Sequence, residues 1–321
     1  HAFPSICKGG FVGVDVFFVI SGYLISKIIF DALDTHSFSF ASFYAKRVRR
    51  IFPALVFMLA IILPLGYILL LPDEFSQLGK HVFSGSMYIS NFTLLNESGY
   101  FNQAAETKLL LHLWSLAIEE QFYILWPLGA FLMCKFVQRR FIFIFFLLVA
   151  SFVSYCIVYK ASSSAAFYLP FTRSWELLIG TLLAVLERST DGRLECFLNK
   201  SILNWGKQVV SIKNVFCFIS VILLVLTIML IRPAYSFLGS ILATFSAAML
   251  MLSRGASFIN NKIFIAIGLI SYPLYLWHWP LLSFGRIYEG TTPCKTYRIV
   301  AVCGAFLLAG FTYAFVERYL R

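Results

Sequence analysis

The chain has 321 residues, of which 60% are hydrophobic and only 13% charged, with 35 Phe and a mean hydropathy of +0.82. A soluble domain is about half apolar and about a quarter charged, so this balance excludes an ordinary soluble fold and points to an integral membrane protein. The net charge of +11 calls for no nucleic acid, because cations kept in cytoplasmic loops and drawn to anionic inner-leaflet lipid account for it.

The apolar runs are continuous rather than alternating, which predicts helices and not barrel strands. The expected fold class is therefore all-α, a polytopic transmembrane helix bundle. Crossing about 30 Å of hydrocarbon takes about 20 helical residues. Runs of about that length lie at 11–30, 51–71, 108–134, 141–159, 168–187, 214–231, 236–253, 263–284 and 297–316. A tenth run, "HVFSGSMYISNFTLL" at 81–95, is short and studded with Ser, Gly and Asn, and reads as an interfacial or re-entrant segment. Residues 1–321 form one integral-membrane domain on this reading. The opening "HAFPSICKGG" has no start methionine, basic cap or signal peptide, which predicts a sequence cut at the outer end of an earlier span, with one more helix in front. The closing "VERYLR" leaves room for a further domain behind.

If the first span runs inward, nine of the 26 Lys and Arg fall outside: Lys8, Lys80, Lys108, Lys160, Arg173, Arg232, Arg286, Lys295 and Arg298. The opposite topology would place the heavier share outside, against the positive-inside rule. The seven cysteines show no CxxC or Cys/His spacing, so they read as free thiols and give no metal site. The sequons at Asn91 and Asn96 matter only in a eukaryotic secretory pathway.

Ionisable side chains inside a membrane are costly and mark function by default. Asp15 sits near the start of "GGFVGVDVFFVISGYLI". In "HLWSLAIEEQFYILWP", His112, Ser115 and Glu119 recur at steps of three and four and share a helical face, with Glu119 near mid-span and Glu120 turned about 100° away. "SYPLYLWHWP" sets Ser271, Tyr275 and His278 on another face at similar steps. Arg173 and Glu176 in "FTRSWELLIG" are three apart and read as a structural pair. The expected topology puts His1, Asp15, His112 and His278 in the outer half, which predicts one polar cavity opening outward. On the inner side "FYAKRVRRIFPAL" crowds Lys46, Arg47, Arg49 and Arg50 at the start of a span, with Pro53 in its first turn. That is a topology anchor, and also a cradle for phosphates beside helix-terminal amides.

These stretches, with the terminal "FVERYLR", resemble the membrane acyltransferase family 3, in particular its bacterial O-antigen and polysaccharide O-acetylase branch. The motifs occur in order along the whole chain. The resemblance implies acetyl-CoA as the cytoplasmic donor and a hydroxyl of an extracytoplasmic glycan as acceptor, in a bacterial inner membrane. It matches His1 to the family's histidine before GG-x-GVD, whose partner arginine would precede residue 1. It implies His1 as base with Asp15 in support, and Arg47, Arg49 and Arg50 on the donor's phosphates; the motif contains both Glu119 and Glu120, and helical geometry picks Glu119 for the catalytic cavity, with His112, Ser115, Tyr275 and His278 as the candidates around the acceptor. Direct attack on the thioester and a covalent acyl-enzyme both remain open, with direct transfer favoured because no Ser or Cys sits in a nucleophile motif. A transporter or flippase for a polar or lipid-linked sugar is the alternative function.

Overall fold

The computed structural model describes residues 1–98, 105–190, 192–205, 208–232, 236–253 and 261–320. The helices, in chain order, are α1 (Gly13–Asp34), α2 (Phe40–Leu69), α3 (Pro72–Ser86), α4 (Ser90–Asn96), α5 (Leu113–Phe136), α6 (Arg140–Ala161), α7 (Ser163–Tyr168), α8 (Pro170–Ser189) and α9 (Arg193–Leu198). After a short antiparallel hairpin of β1 (Ser201–Trp205) and β2 (Gln208–Ser211) come α10 (Ile212–Leu230), α11 (Ser236–Leu252), α12 (Lys262–Leu269), α13 (Ser271–Glu289) and α14 (Lys295–Thr312). The chain is a multi-pass helical membrane protein.

Each of the nine expected runs forms helix, but among the described residues five helical stretches are by themselves long and apolar enough to cross a membrane, or six if α12 and α13 count as one bent span. The others fall short for identifiable reasons. Helix α5 carries Glu119, Glu120 and Gln121, α8 carries Arg173, Glu176, Glu187 and Arg188, and α11 has 17 residues. The 263–284 run breaks into α12 and α13, bent by 65°. Pro273 lacks the N–H that would bond the Leu269 carbonyl, the last residue of α12. The 81–95 run is split between α3 and α4 at Tyr88, whose φ is 54°. Gln121 Nε2 donates to the Tyr88 carbonyl at 2.7 Å and to Asn91 Oδ1 at 2.9 Å, fixing the break against α5. The sequon residue Asn91 is fully buried.

Helix α2 departs from expectation at its start. Ser39 accepts the Ser42 backbone N–H as N-cap, and the helix begins at Phe40. Pro53 is therefore interior, not in the first turn, and Arg47, Arg49 and Arg50 lie on the helix barrel rather than beside its terminal amides.

Helices α1 and α8 approach until their backbones touch. A Cβ on Gly22 would stand 1.9 Å from the Leu177 carbonyl oxygen, and one on Gly180 would stand 2.0 Å from that of Val19. Small residues at such a crossing replace the hydrophobic drive that lipid cannot supply. Ser26 and Thr181, 2.8 Å apart, bond across the same seam. The main core joins Ile25 and Ile29 of α1, Leu55, Met58 and Ile62 of α2, Leu113 and Leu116 of α5, and Leu276 and Trp277 of α13. Exposed Phe145, Phe146, Leu226, Leu230 and Leu307 on α6, α10 and α14 give the lipid-facing belt.

Candidate active site

Helix α5 starts at the buried His112, which occupies the N-cap position, and carries Ser115, Glu119 and Tyr123 on one stripe. Helix α13 brings Tyr275 and His278 against it. Ser115 Oγ and Tyr275 OH are 2.6 Å apart, and Tyr275 OH also donates to the His112 carbonyl. The His112 and His278 rings lie 5.7 Å apart between centroids, and the N-terminal segment adds His1, 5.8 Å from His278. Three histidines from distant parts of the chain thus meet at one place. Among the described residues neither buried ring nitrogen of His112 has a hydrogen-bond partner, an arrangement that a reacting group or an ordered water would satisfy. His278 Nδ1 is 2.6 Å from the Tyr275 carbonyl, so it carries the proton and Nε2 stays free to accept. His1 is the exposed member of the three. Beside them, an apolar cavity of about 350 Å³ between α13 and α14 has His278 and Tyr275 in its wall.

Glu119 lies two turns further along α5, about 10 Å from His112 along the axis. It is 4% exposed. Ser21 of α1 donates to its Oε1 at 2.5 Å, and Tyr123 donates to the same atom. The guanidinium of Arg47 sits 5.8 Å from the Tyr123 ring centre and 5.7 Å from that of Phe43, and both Arg47 and Arg50 act electrostatically on Glu119 and Glu120. Arg49 and Arg50 are exposed, whereas the Nε of Arg47 is buried and, among the described residues, unpartnered. A polar column therefore runs from the histidines through Ser115, Tyr275 and Glu119 to the arginines of α2. Glu120, set aside by the helical-face argument, is buried as well, at 7% exposure, with Oε1 unpartnered among the described residues.

Asp15 belongs elsewhere. Its Oδ1 accepts from Arg173 Nη2, whose Nη1 lies 2.9 Å from Glu176 Oε1 and donates to Ser240 Oγ at 3.3 Å. Among the described residues no hydrogen bond joins Asp15 to His1. The expectation that Asp15 orients His1 is thus replaced by an ion cluster tying α1 to α8 and α11. The guanidinium also sits among the rings of Phe18, Trp114 and Phe167 at 5.6–5.8 Å. A cation held by two carboxylates and three aromatic faces outweighs any distant histidine as a partner for Asp15. The Arg173–Glu176 pairing matches the sequence reading.

Ser271, placed with Tyr275 and His278 by spacing, is exposed and its hydroxyl caps the Gly268 carbonyl at 2.8 Å. Sequence reasoning missed Tyr123, Ser21 and Trp279. Tyr123 was findable, because it continues the His112–Ser115–Glu119 stripe by one more turn. Ser21 carried no signal within its apolar run.

Residues 4–317 match the family described as Acyltransferase domain. The chain belongs to this acyltransferase family. It is 32% identical over 339 residues to the O-acetyltransferase OatA of Staphylococcus aureus (strain NCTC 8325 / PS 47), an alignment covering 100% of this chain and 54% of that protein. It is 29% identical over 337 residues to the peptidoglycan O-acetyltransferase OatA of Listeria monocytogenes, covering 100% of this chain and 53% of that protein. The acyltransferase domain thus spans about half the length of these relatives. No solved structure matches it.

Proposed function

We propose that the chain is the membrane domain of an O-acetyltransferase that takes an acetyl group from acetyl-CoA on the Arg47 side and delivers it to a glycan hydroxyl at the histidines, in a bacterial plasma membrane. The observation that carries this reading is the convergence of His1, His112 and His278 at one end of a polar column that ends at Arg47 and Arg50. Acyl transfer to a hydroxyl needs a base for the proton and donors for the oxyanion. His1, the exposed ring, takes the hydroxyl proton. The hydroxyl oxygen bonds to the thioester carbonyl carbon, the C–S bond breaks, and the CoA thiolate leaves. The Ser115 and Tyr275 hydroxyls reach the oxyanion by turning from the His112 carbonyl that Tyr275 now bonds, and His112 and His278 shape the acceptor site. Glu119 stands between the two ends, and Arg47, Arg49 and Arg50 hold donor phosphates by their side chains alone.

The acceptor is a cell-surface glycan. The name of the Listeria relative favours a peptidoglycan hydroxyl, whereas the motif resemblance favours O-antigen. Cells expressing His1→Ala at wild-type level should carry no ester-linked acetate on their surface glycan. Normal acetate in that variant would remove His1 from the reaction.

A further inference from the structure

A base must be held within a fraction of an ångström of its working position. Two arginines hold the backbone of His1: Arg286 Nη2 donates to the His1 carbonyl at 3.4 Å, and Arg298 Nη1 donates to that of Ala2 at 3.1 Å. Its ring is set by Trp279, which it meets edge-on at 4.9 Å and 89°, while the guanidinium of Arg286 lies 5.5 Å from the Trp279 ring centre. Trp279 is itself fixed by its Nε1–H, which donates to the Lys108 carbonyl at 2.8 Å.

Lys108 is buried, at 5% exposure, and its ammonium bonds Glu97 Oε2 at 2.8 Å. The same carboxylate takes His81 Nε2 at 2.8 Å and Lys80 Nζ at 2.8 Å. Burial pushes the Glu97 carboxyl up, but the hydrogen bonds from Lys108, Lys80 and His81 outweigh it and hold the group at about 2, so it is ionised wherever a histidine base works. Four residues after Lys108 the chain reaches His112 at the head of α5. The residue of this buried ion pair that bonds Trp279 through its carbonyl also leads the chain into His112.

We propose that Glu97, Lys108 and Trp279 are positioning residues for acyl transfer: the ion pair fixes the 108 segment, and that segment sets Trp279 against His1 and starts α5 at His112. The proposal rests on the reading of His1 as base, on which these three act through the Trp279 ring.

The test uses the full-length protein in phospholipid vesicles, with radiolabelled acetyl-CoA and soluble peptidoglycan fragments as acceptor. Trp279→Phe keeps a ring and loses the N–H. It should lower kcat tenfold or more, leave the apparent KM for acetyl-CoA within twofold, and leave the unfolding midpoint unchanged. Lys108→Met should lower kcat similarly, Lys108→Arg should restore most of it, and the Trp279→Phe/Lys108→Met double variant should be no slower than the worse single, because the two act in series. If Lys108→Met does not fold, Trp279→Phe carries the test alone. Wild-type kcat in Trp279→Phe, or a loss that tracks thermal stability and KM together, overturns the proposal. His1→Ala run alongside separates the two failures: an inactive His1→Ala with a fully active Trp279→Phe sinks the positioning role only, whereas an active His1→Ala sinks the base on which it depends.

Discussion

Ser21 of α1 and Glu119 of α5 are joined by a 2.5 Å hydrogen bond, so the carboxylate that the helical pattern placed mid-span is held from the neighbouring helix and by Tyr123 one turn on. A charge at the bilayer centre costs about 2.5–3.5 kcal/mol even on the gentle insertion scale. Two hydroxyl donors and the field of Arg47 and Arg50 oppose part of that cost. Glu119→Gln keeps the shape and removes the charge, and acetyl transfer at matched expression should fall at least tenfold with the protein still folded. Full activity would take Glu119 out of the site. Glu120→Gln should also act on transfer, because Glu120 is buried in the same field.

Arg47 and Arg50 are three apart on α2 and lie on one side of it. If they hold the donor's phosphates, Arg50→Ala should raise the apparent KM for acetyl-CoA tenfold or more and change that for the glycan little. Equal effects on both substrates, or loss of protein from the membrane, would leave them as topology anchors.

If the Asp15–Arg173–Glu176 cluster serves the fold, deleting one partner of the buried ion pairs costs about 3–5 kcal/mol. Arg173→Met should therefore deplete the folded protein, seen as a large drop in the unfolding midpoint of the detergent-solubilised chain. A midpoint within a few degrees of wild type would show that the cluster contributes little. Gly180→Leu at the α1–α8 seam should do similar damage, since even its Cβ would meet the Val19 carbonyl oxygen at 2.0 Å.

Glu97 gives a pH signature. Its folded-state carboxyl is lowered from 4.5 to about 2, so its contribution to stability is present above about pH 4.5 and is lost as pH falls through about 2. The unfolding midpoint of the wild type should decline across that window more steeply than that of Glu97→Gln. Parallel curves would contradict the ion-pair account.

The bundle was legible in the sequence because helix in lipid is dictated by continuous apolar runs, and each expected run became helix. What composition could not reveal was where helices stop. Ser39 capping α2 extended it back past the arginines, and Pro273 broke α13 from α12. The histidine cluster was legible in part: periodicity put His112 with Ser115, and Tyr275 with His278, each pair on one face. The partner of Asp15 was not, because nothing in the local spacing of either segment says that the close approach at Gly22 and Gly180 brings α8 and its Arg173 against α1. Trp279 and Lys108 stayed hidden for a related reason. A backbone carbonyl accepting an indole N–H leaves no trace in residue type.

The central claim is that His1 is the base, and the direct measurement is single-site acyl transfer in reconstituted vesicles. Wild-type protein and His1→Ala, matched in amount and in unfolding midpoint, are supplied with radiolabelled acetyl-CoA and peptidoglycan fragments, and base-labile label on the glycan is counted. The account predicts label with the wild type and background with His1→Ala, at an unchanged KM for acetyl-CoA in any residual activity. Wild-type labelling by His1→Ala would contradict it.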